Sequence, residues 1–129
     1  MMKKVYICAP LGGNISENIE NAKVYVCSPL GGNVSENIEN VKVYAKYVFD
    51  RGMAPVIPHF YATILDDEME AERNLGKQAG ISLLFGCDAI WVFGDKVTLG
   101  MKEEIQFAKH LKIEIKYISK EDLGEINNG

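Results

Sequence analysis

Apolar residues along this chain switch repeatedly between strand-like and helix-like spacing. Residues 24–27 form a short β-rich run closed by Pro29, Leu30, Gly31 and Gly32, the pattern of a buried strand entering a turn. Asn33 with Glu36 three residues later has capping-box spacing. Ile38, Val41, Tyr44, Ala45 and Val48 then recur with helical period until Asp50, Arg51 and Gly52 stop the helix. Residues 54–57 predict a second strand ended by Pro58, and 59–64 a loop. A helix is expected over 66–84, acidic in its first turn, weakened by Gly76 and Gly80 and closed by Gly86. Residues 89–93 are continuously apolar, as in a strand buried on both faces of a parallel sheet. A loop (94–99), a helix (100–111) and a strand (113–118) follow, and from Ser119 the chain is polar and expected to fray.

Strands alternating with helices imply βαβ units and right-handed crossovers. The expected class is α/β, a small doubly wound, flavodoxin-like or Rossmann-like parallel sheet of about four to five strands. Ligands in such sheets bind beyond the carboxyl ends of the strands where strand order reverses. That rule gathers the segment around Gly31, the Pro58-His59 pair and the loop ending at Gly100.

The first strand pattern occurs twice. Residues 4–22 are repeated as 23–41, differing only at Ile7/Val26, Ala9/Ser28, Ile15/Val34 and Ala22/Val41. Lys-Val-Tyr recurs a third time at Lys42, Val43 and Tyr44, so slippage within a single-copy ancestor would produce the repeat. Solenoids need about three or more units, so two copies followed by unrelated sequence read as a local duplication. Lys23, Val24 and Tyr25 could continue a helix of copy one or open the strand of copy two. Copy two runs directly into the completing helix and is expected to build the sheet. Copy one (1–22) is then an extra piece that adds an edge strand, lies disordered or exchanges with a neighbouring subunit. The rival register would bulge copy two out of a compact domain.

Composition narrows the class. With 129 residues, 47% hydrophobic and 25% charged, the chain is expected to form one globular domain. Net charge is −4 and no basic-aromatic stripe occurs, against a nucleic-acid surface. No apolar run approaches the roughly 20 residues of a membrane span, and Pro10 with two glycines breaks any signal-peptide pattern. Cys8, Cys27 and Cys87 are odd in number and lack Cys-x-x-Cys spacing, so they read as buried reduced thiols of a cytoplasmic protein.

Several residues are candidates for chemistry. Gly31, Gly32 and Asn33 precede a helix N-terminus, where backbone N–H groups either make an anion site or form a tight turn. Neither a Walker lysine nor a G-x-G-x-x-G pattern is present. Thr98 and Gly100 sit where loop becomes helix. Glu103 and Glu104 follow in its first turn, where acids favour the helix dipole. Ile105 and Ala108 share a face with Glu104, which turns that carboxylate partly inward. His59 is either a solvated loop residue or a base or phosphate contact. Asp66, Asp67, Glu68, Glu70 and Glu72 read as a solvated helix face, and Trp91 as core.

Val24 through Gly32, then Cys87 through Gly94, then Thr98-Leu99-Gly100-x-x-x-Glu104-Ile105-x-x-Ala108 together resemble the nucleoside 2-deoxyribosyltransferase superfamily, in particular its small phage and bacterial members of unknown function. The resemblance covers about residues 23–118, leaving 119–129 as a polar tail. It implies Glu104 as nucleophile, attacking the anomeric carbon of a nucleoside and expelling the base. It implies Tyr25, or Tyr6 if copy one occupies the site, as the hydroxyl orienting that nucleophile. Thr98 resembles the serine that holds phosphate in the branch hydrolysing deoxynucleoside 5′-monophosphates. The family usually carries an aspartate about two helical turns before the third strand, where this chain has Gly80. Asp95 is the expected substitute acid, with Asp88 a second choice. The resemblance implies a small-molecule nucleoside or nucleotide substrate, no cofactor, no metal, and a homodimer or larger homo-oligomer.

Overall fold

The computed structural model describes residues 2–9 and 22–127. Four strands, β1 (Lys23–Cys27), β2 (Ala54–Val56), β3 (Ala89–Val92) and β4 (Glu114–Tyr117), pair in parallel in the order β2-β1-β3-β4. Four helices, α1 (Val34–Asp50), α2 (Glu70–Ser82), α3 (Leu99–Leu111) and α4 (Lys120–Asn127), alternate with them. The fold is α/β with a small doubly wound sheet.

Strand alternation divides the core in two. Val24, Val26, Ala89, Trp91 and Phe93 pack with Val41, Tyr47 and Val48 of α1 on one face. Tyr25, Cys27, Ile90 and Val92 pack with Leu84 and with Met101, Ile105 and Ala108 of α3 on the other. Because β1 lies between β2 and β3, both its faces and both its edges are covered. Val24 through Cys27 are accordingly fully buried.

Copy two supplies β1, so Lys23, Val24 and Tyr25 open a strand. Within copy one, residues 2–9 have no regular secondary structure, so the strand pattern at 5–8 is not realised there. Tyr6 is 90% exposed where its counterpart Tyr25 is 0%. Lys4 tethers this segment by donating to the Phe85 carbonyl at 2.7 Å. Cys8 is exposed, unlike Cys27 and Cys87, which corrects the expectation of three buried thiols. The glycine turn and helix start expected in copy one lie outside the described residues.

Three local expectations are corrected. Residues 58–63 form a 3-10 helix (Pro58–Thr63) where a loop was expected, started by the fixed φ of Pro58. Helix α2 begins at Glu70, later than residue 66. Glu72 accepts from the Asp66 backbone N–H, and Asp66 accepts from that of Glu68. These side-chain bonds offer the backbone an alternative to the helical ladder. Residues 120–127 form a helix where fraying was expected: Ser119 Oγ accepts from the Asp122 N–H at 3.1 Å and Asp122 accepts from the Ser119 N–H at 3.0 Å. This reciprocal cap starts α4, and Leu123 packs on the core. Among the described residues no helix is long and apolar enough to cross a membrane.

Candidate active site

Strand order reverses between β1 and β3, and a cleft of about 400 Å³ opens beside their carboxyl ends. Its volume lies within the usual range for small-molecule sites. Its floor includes Tyr25, Ser28 and Glu104, and one wall is Pro58, His59 and Tyr61. The adjoining α2 stripe Arg73, Gly76, Lys77 and Gly80, residues that share one side of a helix, lines it too. Gly31, Thr98 and Gly100 complete the mouth. Gly94 helps set the loops: its φ is +100°, and a Cβ there would approach Pro29 Cδ at 3.2 Å.

Glu104 belongs to an otherwise apolar stripe of α3, with Met101, Ile105 and Ala108 buried on the same side. The Tyr25 hydroxyl donates to its Oε2, and the Cys27 thiol lies 3.6 Å from its Oε1. Lys77, which also lines the cleft, pairs with Glu103 at 3.5 Å. Burial raises the Glu104 carboxyl to about 7 despite the two donors that lower it, and the Glu103 charge adds to the rise. Burial, with Glu104 beside it, pushes the Tyr25 hydroxyl well above its ordinary value, so it remains a donor at neutral pH. Burial first, then Glu104, also raises the Cys27 thiol, so it too stays protonated.

His59 is buried, which corrects the solvated-loop alternative. Its Nε2 lies 3.0 Å from both the Ser28 carbonyl and Ser28 Oγ. A carbonyl only accepts, so Nε2 carries the hydrogen and His59 is the donor. Burial lowers its pKa, outweighing the backbone hydrogen bonds that raise it, and favours the neutral ring.

The other expected residues divide. Gly31, Thr98 and Gly100 line the cleft with Glu104, Tyr25 and His59. Thr98 is also the N-cap of α3, accepting from the Met101 N–H at 3.2 Å. Gly32 and Asn33 do not line the cleft: Gly32 turns the chain at φ +82°, and Asn33 caps α1 by accepting from the Glu36 N–H. Asn37 pins this turn by donating to the carbonyls of Leu30 and Gly31 at 2.9 Å each. Asp95 is not in the cleft either. It is exposed and pairs with Lys120 of α4 at 3.0 Å, so it is not positioned as the acid. Asp67 and Glu72 do line the cleft, so the acidic run is not wholly a solvated face. Ser28 and Arg73 are additional cleft residues. The one hint in the sequence was the Ser28/Ala9 difference between copies. Among the described residues no group of three or more His, Cys, Asp or Glu could hold a metal ion.

Residues 22–118 match the model of a domain of unknown function, DUF7768. The chain belongs to the DUF7768 family. A comparison with curated proteins finds no match. The matched DUF7768 region starts just before β1 and ends just after β4, and contains every element that lines the cleft.

The assignment of β1 to copy two has a direct check. Tyr25→Phe removes the donor to Glu104 and should weaken ligand binding or turnover at least about tenfold, as for loss of a hydrogen bond to a charged group. Tyr6→Phe should leave both unchanged. Impairment by Tyr6→Phe alone would place copy one in the sheet.

Proposed function

We propose that this protein is an N-glycosyl hydrolase or transferase acting on deoxynucleosides or their 5′-monophosphates, with Glu104 as nucleophile. The observation carrying this reading is a buried carboxylate at the floor of a cleft, held by a tyrosine hydroxyl and in no ion pair among the described residues. Structural carboxylates rarely sit in an apolar helix stripe without a counter-charge, and perturbed carboxyls in clefts concentrate at reactive sites. The resemblance of the surrounding motifs to nucleoside 2-deoxyribosyltransferases supports the same chemistry.

In this reading Tyr25 fixes Oε2 and leaves Oε1, which faces only the weak thiol donor, as the more reactive oxygen. Oε1 bonds to the anomeric carbon as the carbon–nitrogen bond breaks and its electron pair leaves with the base. Water or a second base then displaces the glutamyl ester, as in retaining glycosidases. Arg73, which has no ion pair among the described residues, supports the monophosphate as substrate, together with Thr98 and the Gly31 turn. The protein acts as a homodimer or larger homo-oligomer in the cytoplasm.

A second reading, a nucleotide-binding module without catalysis, is favoured by Gly80. A Cβ there would lie 3.6 Å from the Tyr25 hydroxyl, so this position faces the reacting pair yet supplies no carboxyl group. Chromatographic detection of free base separates the two. Deoxynucleosides and their 5′-monophosphates are incubated with the protein, with and without an acceptor base. Base release supports the enzyme. Binding without release by folded protein supports the module.

A further inference from the structure

We propose that Ser28 is a catalytic hydrogen-bond donor to the departing base, with His59 the positioning residue that aims it. This deepens the glycosyl reading above and rests on it. Glycosidic cleavage leaves negative charge on the base, and Gly80 offers no acid to meet it. Asp95 points to α4. Another residue lining the cleft can supply a donor, and Ser28 is one of them.

Both donors that contact Glu104 are already committed. The Tyr25 hydroxyl donates to Oε2 and the Cys27 thiol faces Oε1. Ser28 is different. His59 Nε2–H is shared between the Ser28 carbonyl and Ser28 Oγ, so the serine oxygen acts as acceptor toward His59. The hydroxyl's own hydrogen then has no acceptor among the described residues. Ser28 is only 4% exposed and His59 3%, yet both line the cleft. A buried donor without a partner is costly and uncommon, and the cleft is where an acceptor can arrive. The second hydrogen bond, to the Ser28 carbonyl, fixes the ring and with it the direction of the hydroxyl.

The two repeat copies differ at this position. Copy two has Ser28 where copy one has Ala9, although Tyr25/Tyr6 and Cys27/Cys8 are identical pairs. The copy that builds the cleft is the copy that carries the hydroxyl.

The step balances without proton loss from the serine. The C1′–N bond breaks and its electrons pass to the base. A Glu104 oxygen bonds to C1′, and Ser28 hydrogen-bonds the base as charge develops. The base later takes its proton from water. A donor aimed at developing charge is worth on the order of 10²-fold in rate.

The test compares leaving groups. Wild type, Ser28→Ala, His59→Gln and Glu104→Ala are assayed on the preferred deoxynucleoside or 5′-monophosphate, and on the p-nitrophenyl glycoside of the same sugar. That activated leaving group needs little assistance. Ser28→Ala should lose on the order of 10²-fold on the natural base and no more than about threefold on the p-nitrophenyl substrate. His59→Gln should show a smaller loss with the same dependence on leaving group. Equal losses on both substrates, or none, would overturn the role of Ser28 while leaving the glycosyl reading intact. No release from either substrate by folded wild type would overturn that reading and this proposal together. Ser28→Ala is expected to fold, because His59 Nε2–H keeps the backbone carbonyl of residue 28 as its acceptor.

Discussion

Replacing Glu104 by alanine should reduce base release by on the order of 10⁴-fold or more, the scale seen when a covalent nucleophile is deleted. The loss should appear in kcat and kcat/KM alike, with substrate binding largely retained, because the cleft walls are untouched. The pH profile provides an independent signature. With its carboxyl near 7, Glu104 is mostly protonated below neutrality and cannot attack. The rate should therefore fall about tenfold per unit below roughly pH 6 and level off above roughly pH 8. A flat profile from pH 5 to 9 with full turnover would exclude Glu104 as the reacting group. Residual turnover in Glu104→Ala near the wild-type rate would do the same.

Glu104→Gln should make the protein more stable at pH 8. The folded carboxyl is raised to about 7 from an ordinary 4.5. A raised pKa means that folding favours the protonated form. Its stabilising contribution is complete below pH 4.5 and is lost progressively as pH rises through about 7. Above that, the wild type carries a buried charge that the amide lacks. The difference corresponds to about 3 kcal/mol, or on the order of 10 °C in the thermal midpoint of a domain this size. Denaturant unfolding of both proteins at pH 8 and pH 4.5 measures it. The gain should be present at pH 8 and largely gone at pH 4.5. An equal difference at both values would mean that the carboxyl is not desolvated. Taken with the first experiment, a variant that is more stable and inactive would mark Glu104 as a residue retained against the stability of the fold.

Much of the fold was legible because its main signals are long or local. The helical period of Val41, Tyr44, Ala45 and Val48 and the continuous apolar run at β3 survive any packing detail. Short elements were harder to read. The 3-10 helix at Pro58 is too brief to show a period, and α4 depends on a Ser119–Asp122 cap whose spacing was readable but was followed by a polar stretch. Glu104 was legible from its phase: it shares a face with Ile105 and Ala108, which turned it partly inward, and the fold buries that face. Asp95 was misplaced because loop spacing does not say toward which side of a sheet a residue turns. Ser28 was passed over because a lone serine at a strand end has no pattern. Its partner His59 lies 31 positions away, and only the fold brings them together.

The segment at residues 5–8, which joins no strand among the described residues, has a physical consequence for handling the protein. It carries nearly the sequence of the most protected strand in the sheet, yet Val5, Tyr6 and Ile7 are each more than 80% exposed. Short, uncharged β-prone stretches with free backbone groups are templates for intermolecular pairing. Concentrated samples should therefore self-associate through this sticky end before the folded domain loses any of its native structure.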